Sequence, residues 1–174
     1  MKKIVWVFGM VIGALLSINM VIMVNLFYNN PDIKGTEFIG YAATVILFSL
    51  IFFGVRNYRN KQNGGIISFG KAFKAGLLIA LIGSTMYVIT WLFYYYLFVP
   101  DFFDKYISYI LKETPATELA AKTKEMEGYK KMYENPLFVV LITYSEVLPV
   151  GIIVSLISAL ILKRKTKNQP IQDR

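Results

Sequence analysis

Neither cysteine nor histidine occurs in this chain. Their absence excludes disulfides, thiol nucleophiles, histidine-based triads and metal centres built on either side chain, so no metal, no cofactor and little enzyme chemistry is expected. Acid is also scarce, with 11 Asp and Glu against 19 Lys and Arg and a formal net charge of +8. In a soluble protein that excess would suggest nucleic acid, but here the distribution of charge matters more than its size. Apolar residues are what the chain has in abundance. They make up 56% of it, and the mean hydropathy of +0.51 exceeds what a soluble domain of 174 residues buries in one core. The expected partner is a lipid bilayer, not nucleic acid.

Four apolar runs reach the length of about 20 helical residues that a hydrocarbon core requires. They span Ile4 to Tyr28, Phe38 to Val55, Gly76 to Val99 and Leu137 to Leu162. The second is the shortest and carries Gly40 and Gly54. Lys2 and Lys3 give the first run the basic start of a signal peptide, yet it stays apolar well beyond the roughly 7 to 15 residues of a signal core, and no small-x-small cleavage site ends it. It reads as a retained helix. The expectation is one all-α membrane domain over 1–174, with four transmembrane helices, a cytoplasmic loop at 56–75 and an extracytoplasmic two-helix segment at 100–136.

Charge orients this arrangement, because the side richer in Lys and Arg stays in the cytoplasm. The N-terminus, the 56–75 loop and the C-terminal tail together carry twelve basic residues against Asp173 alone. The other two connections are each acidic by one: Asp32 and Glu37 against Lys34, then seven acids against six lysines between Pro100 and Pro136. Both termini are expected in the cytoplasm. Aromatic residues gather at the proposed boundaries, as they do where bilayer meets water. "WLFYYYLFVPDFF" (91–103) is the densest cluster and reads as an interfacial belt in preference to an aromatic ligand cage. Trp6, Phe8, Tyr58, Phe69 and Phe73 form its inner counterpart.

Small residues recur every fourth position in three of the runs: Gly9, Gly13 and Ser17; Ala72, Gly76, Ala80 and Ser84; Gly151, Ser155 and Ala159. In lipid such rows let helix backbones approach closely. They predict a tight bundle, with a homo-oligomer through one row as the alternative. In the cytoplasmic loop Asn63, Gly64 and Gly65 signal a turn and Ser68 a helix start. Arg56, Arg59, Lys71 and Lys74 are placed to contact anionic lipid head groups. The segment from Pro100 to Pro136 reads as two helices broken at Thr114 and Pro115, the first capped by Asp101 and laying an aromatic face on the membrane or over the bundle. The second pairs Glu118 with Lys122 and Glu127 with Lys131 on a solvated face rather than a docking surface.

"ISFGKAFKAGLLIALIGS" (67–84), "VPDFF" (99–103) and "EVLPVGIIVSLISALILKRK" (146–165) resemble a bacterial group of small four-span membrane proteins, domain-of-unknown-function family forty-one ninety-nine. The resemblance extends over almost the whole chain and is least specific in 100–136. It implies four spans and a location in the inner membrane of a bacterial cell, and it brings no activity, cofactor or catalytic residue with it.

Glu146 is the only acid inside any of the four runs. Counting about 1.5 Å per residue from Leu162 places it some ångströms outward of the bilayer centre, where an acid is costly. No Lys, Arg or His lies in a span to pair with it, so a neutral or hydrogen-bonded form is expected. Asn19 and Thr90 lie at comparable depth and are the expected partners. Tyr144 and Ser145 are its polar neighbours, and Pro149 denies the Ser145 carbonyl its helical donor, where a kink is expected. Two functions fit. In a structural or accessory protein Glu146 clamps spans one, three and four by hydrogen bonds; in a small proton- or ion-coupled transporter or channel it titrates beside a proline-broken helix. The first is favoured because no second acid, repeat or polar stripe marks a pathway. A catalytic pair of carboxylates, as in an intramembrane aspartyl protease, is missing.

Overall fold

The computed structural model describes residues 1–30 and 36–164. Asp32, Lys34, Lys165, Lys167, Asp173 and Arg174, used above for orientation, lie outside the described residues, as does the side chain of Glu37. Six helices follow one another: α1 (Lys2–Asn29), α2 (Thr36–Gln62), α3 (Phe69–Phe98), α4 (Phe102–Glu113), α5 (Leu119–Tyr133) and α6 (Pro136–Leu162). Among the described residues there is no strand, and α1, α2, α3 and α6 are long and apolar enough to cross a membrane. The chain is an all-α, multi-pass membrane protein.

Helix ends differ from the hydropathy boundaries on one side of the bundle. The run ending at Val55 continues as helix to Gln62, and the helix of the third run begins at Phe69 rather than Gly76. The expected loop of 56–75 therefore shrinks to 63–68. Arg, Lys and Gln are good helix formers, so apolarity marks what lipid accepts and not where the backbone unwinds. Gly64 and Gly65 end α2 with φ of 57° and 81°, left-handed values that glycine adopts at no steric cost. The Gly65 amide donates to the Arg59 carbonyl across the turn (3.0 Å). Ser68 caps α3, its hydroxyl accepting from the Lys71 amide (3.4 Å). The Arg164 amide then donates to the Ile67 carbonyl (2.9 Å), tying this turn to the end of α6.

α3 lies between α1 and α6, and α2 closes the opposite side against the same two helices. The three rows of small residues are the seams of this bundle. A Cβ built on Gly9 would stand 2.7 Å from the Ile82 Cβ, and one on Gly13 2.8 Å from the Met86 Cβ, so the α1 row lies against α3. Likewise Gly76 meets Ser155 at 2.9 Å and Gly151 meets Ala80 at 2.8 Å, so the α3 and α6 rows face each other within one chain. Beside them Ile12, Leu16, Phe48, Ile51 and Ile79 are fully buried and fill the half of the bundle nearer the termini.

The other end is covered by α4 and α5, separated as expected at Thr114 and Pro115. The aromatic face of α4 lies over the bundle, with the Phe102 ring edge-on to Phe27 (5.7 Å) and to Trp91 (5.4 Å). Asp101 precedes α4 but its side chain makes no cap. It accepts instead from the Tyr28 hydroxyl (2.5 Å) and pairs with Lys105 (3.6 Å). The tyrosine hydrogen bond first, with help from Lys105, holds the Asp101 carboxyl below the usual carboxylate range. Lys122 pairs with Glu125 (2.9 Å), and among the described residues no ion pair joins it to Glu118. Lys130 joins α5 to Asp104 of α4 (2.5 Å). α6 opens on Pro136 with Asn135 capping the Leu137 amide (2.9 Å), and it stays helical through Pro149.

Candidate functional site

One face of α3 changes character along its length. Ala72, Gly76, Ala80 and Ser84 give way at Tyr87, Trp91 and Tyr95, which continue the same helical face. Below Ser84 the small side chains bring α3 close to α6; beyond it the same face carries large rings. A cavity of about 610 Å³ lies at the α4 and α5 end of the bundle. α1 contributes Asn19, Met20 and Met23 to its wall, α2 contributes Tyr41 and Thr44, and α3 contributes Tyr87 and Trp91. Phe102, Phe103 and Tyr106 of α4, with Met126 and Tyr133 of α5, close over it, and the Lys122 and Glu125 pair sits at its rim.

Glu146 and Ser145 of α6 line this cavity, and both are exposed rather than packed against a neighbouring helix. Among the described residues no hydrogen bond joins Glu146 to Asn19 or Thr90. Asn19 shares the cavity wall with it. Thr90 does not: it accepts from the Ser17 hydroxyl (3.0 Å) and donates to the Met86 carbonyl (2.9 Å), making a seam between α1 and α3. Tyr144 also turns away, its hydroxyl donating to Thr85 Oγ1 (2.7 Å), and the Ser145 hydroxyl folds back onto the Ile142 carbonyl (2.7 Å). Pro149 lies one turn further along α6, outside the lining. Of the six polar-site residues expected from sequence, the structure brings three together: Glu146, Asn19 and Ser145.

The tyrosines around the acid escaped sequence reasoning. Tyr87 and Tyr133 both interact electrostatically with Glu146. Tyr133 stacks on Phe103 (4.3 Å) and meets Tyr95 edge-on (5.7 Å). Its burial, and secondly the charge of Glu146, push the Tyr133 phenol up, against a smaller opposite effect of a Trp91 hydrogen bond. The stretch read as an interfacial belt is therefore divided. Phe93, Tyr96, Leu97 and Phe98 face outward as a belt should, whereas Trp91 and Tyr95 are buried, and Trp91, Phe102 and Phe103 form cavity wall. The one-turn spacing of Trp91 and Tyr95, continuing the Ser84 face, was the signal that could have separated them.

A family model described as "Protein of unknown function (DUF4199)" matches residues 7–164. The chain belongs to that family. No curated protein and no solved structure matches it. Membership and the four long apolar helices together make it an integral membrane protein. At the end of the bundle nearer the N-terminus, Arg56, Lys71 and Lys74 are exposed, and the rings of Phe69 and Phe73 stack on α3 beside the two lysines (6.0 Å). Arg59 is half-buried, its guanidinium donating to the Leu162 carbonyl (3.4 Å). Among the described residues no group of three or more Asp or Glu is placed to hold a metal ion.

Proposed function

We propose that the protein is a small proton- or ion-coupled transporter in which Glu146 is the exchanging group. The observation that carries this reading is the placement of Glu146 on the wall of a cavity of about 610 Å³, without a hydrogen bond to any described residue. A clamp needs a partner on another span; Thr90 is bonded to Ser17 instead, and Asn19, though on the same wall, makes no hydrogen bond to Glu146. An acid kept at membrane depth without a structural bond is by default a functional one. The half of the bundle nearer the termini is closed by the Gly76 and Gly151 seams, so transport requires α3 and α6 to part along them, with the cavity as the compartment open in the present state.

Modification of the full chain by a hydrophobic carbodiimide, read by peptide mass spectrometry, tests this. The reagent reacts with protonated carboxyls, so adduct at Glu146 is expected to form at low pH and to fall as pH rises across the group's titration. No adduct at any pH would show that the cavity does not give access to the acid and would sink the reading.

The location that goes with this function is the inner membrane of a bacterial cell, with both termini in the cytoplasm, the cavity open outward and the basic face on anionic lipid. The absence of cysteine makes this directly testable. Singly introduced Asn30→Cys and Thr123→Cys are expected to react with an impermeant maleimide added to intact cells, and Gln62→Cys to be protected. Protection at Thr123 with labelling at Gln62 would invert the topology.

A further inference from the structure

Resting on the proposed role of Glu146, we infer that the cavity takes a monovalent organic cation with an apolar or aromatic body, bound by the Glu146 carboxylate and the rings around it. Charge decides the sign of the ligand. Lys122 and Glu125 neutralise each other at 2.9 Å, and the remaining titratable wall groups are phenols: Tyr41 of α2, Tyr87 of α3, Tyr106 of α4, and Tyr129 and Tyr133 of α5. α1 contributes no ionisable group to the wall. Among the described residues an ionised Glu146 therefore leaves the cavity wall with one uncompensated negative charge, which a single cation balances.

Size and wall chemistry decide the body. A volume of about 610 Å³ falls within the range of roughly 300 to 1,000 Å³ of small-molecule sites. It is far larger than a bare inorganic ion, and hard divalent cations require about six or more oxygen ligands, whereas among the described residues no group of three or more Asp or Glu is placed to supply them. Trp91, Tyr87, Phe102 and Phe103 present ring surface, whose negative faces attract cations most strongly where water is excluded. Met20, Met23 and Met126 add polarisable side chains that adapt to ligand shape. In the exchange the Glu146 O–H bond breaks, its proton leaves to bulk water, and the carboxylate pairs with the entering cation, so one proton leaves per cation bound.

Tetraphenylphosphonium is a suitable probe, with tetraphenylborate as the anion of the same shape. In detergent, on a Trp6→Phe background that leaves Trp91 as the only tryptophan, phosphonium is expected to quench fluorescence saturably and borate to leave it unchanged. Calorimetry in two buffers of different ionisation enthalpy should show about one proton released per cation at a pH where Glu146 is protonated. Glu146→Gln should weaken phosphonium binding at least about tenfold, the scale set by loss of a desolvated charge partner. In the otherwise unaltered chain, phosphonium should protect Glu146 from the carbodiimide, a readout that survives if the Gln variant fails to fold. Equal binding of borate, undiminished binding by Glu146→Gln, or absence of Trp91 quenching overturns the inference. pH-dependent carbodiimide reaction without phosphonium protection removes the cation inference and leaves the proposed role of Glu146 standing; absence of reaction removes both.

Discussion

Gly76→Leu and Gly151→Leu are each expected to lower the thermal midpoint of the detergent-solubilised protein by several degrees, while Gly70→Leu in the same α3 changes it little. The seams leave no room at the first two positions. At Gly151 a new Cβ would lie 2.8 Å from the Ala80 Cβ and 3.0 Å from the Phe48 ring, and at Gly76 it would lie 2.9 Å from the Ser155 Cβ. Gly70 meets nothing within 4 Å. A leucine at a seam must push α3 and α6 apart, and overpacking of this kind costs about 1 to 3 kcal/mol. For a chain of this length each kcal/mol corresponds to roughly 2 to 4 °C. Helix association in lipid depends on such close approach because no hydrophobic drive brings apolar helices together there. Equal, small shifts at all three glycines would remove the seams as the source of stability. Loss of a dimer with the monomer's midpoint unchanged would assign the rows to self-association.

The second large effect concerns function and spares stability. Glu146→Gln and Glu146→Ala should both fold with midpoints near that of the wild type, since no hydrogen bond to a described residue is lost and exposed substitutions usually stay within about 0.5 kcal/mol. Both should abolish pH-dependent flux in reconstituted vesicles, because neither side chain can exchange a proton, whereas Glu146→Asp should retain a reduced flux. Asn19→Leu is expected to be neutral for stability for the same reason, as Asn19 shares the cavity wall with Glu146 without bonding to it. The opposite pattern, with Ala destabilised and Gln fully active, would restore the clamp and end the transport reading.

Several elements were legible in the chain itself. Apolar length set the number of long helices, the Asn63 to Gly65 run set the turn, Ser68 the cap of α3, and Thr114 with Pro115 the break between α4 and α5, because each is a local property of a few consecutive residues. Four-residue spacing of Gly, Ala and Ser identified which faces come close. Counting about 1.5 Å per helical residue also put Asn19 near Glu146, and the two share one cavity wall, whereas Thr90 does not line it.

Other features depended on contacts between distant segments. Thr90 bonds to Ser17, Tyr144 to Thr85 and Asp101 to Tyr28, and none of these partners follows from helical periodicity. The cavity itself arises where the small face of α3 becomes a face of rings and α4 folds back over the gap. Sequence alone determined which spans carry the polar side chains and where along each helix they fall; only the tertiary structure decided what they face. Rise along a helix is a count of residues, whereas the direction of a side chain around the axis acquires meaning only when neighbouring helices occupy that direction.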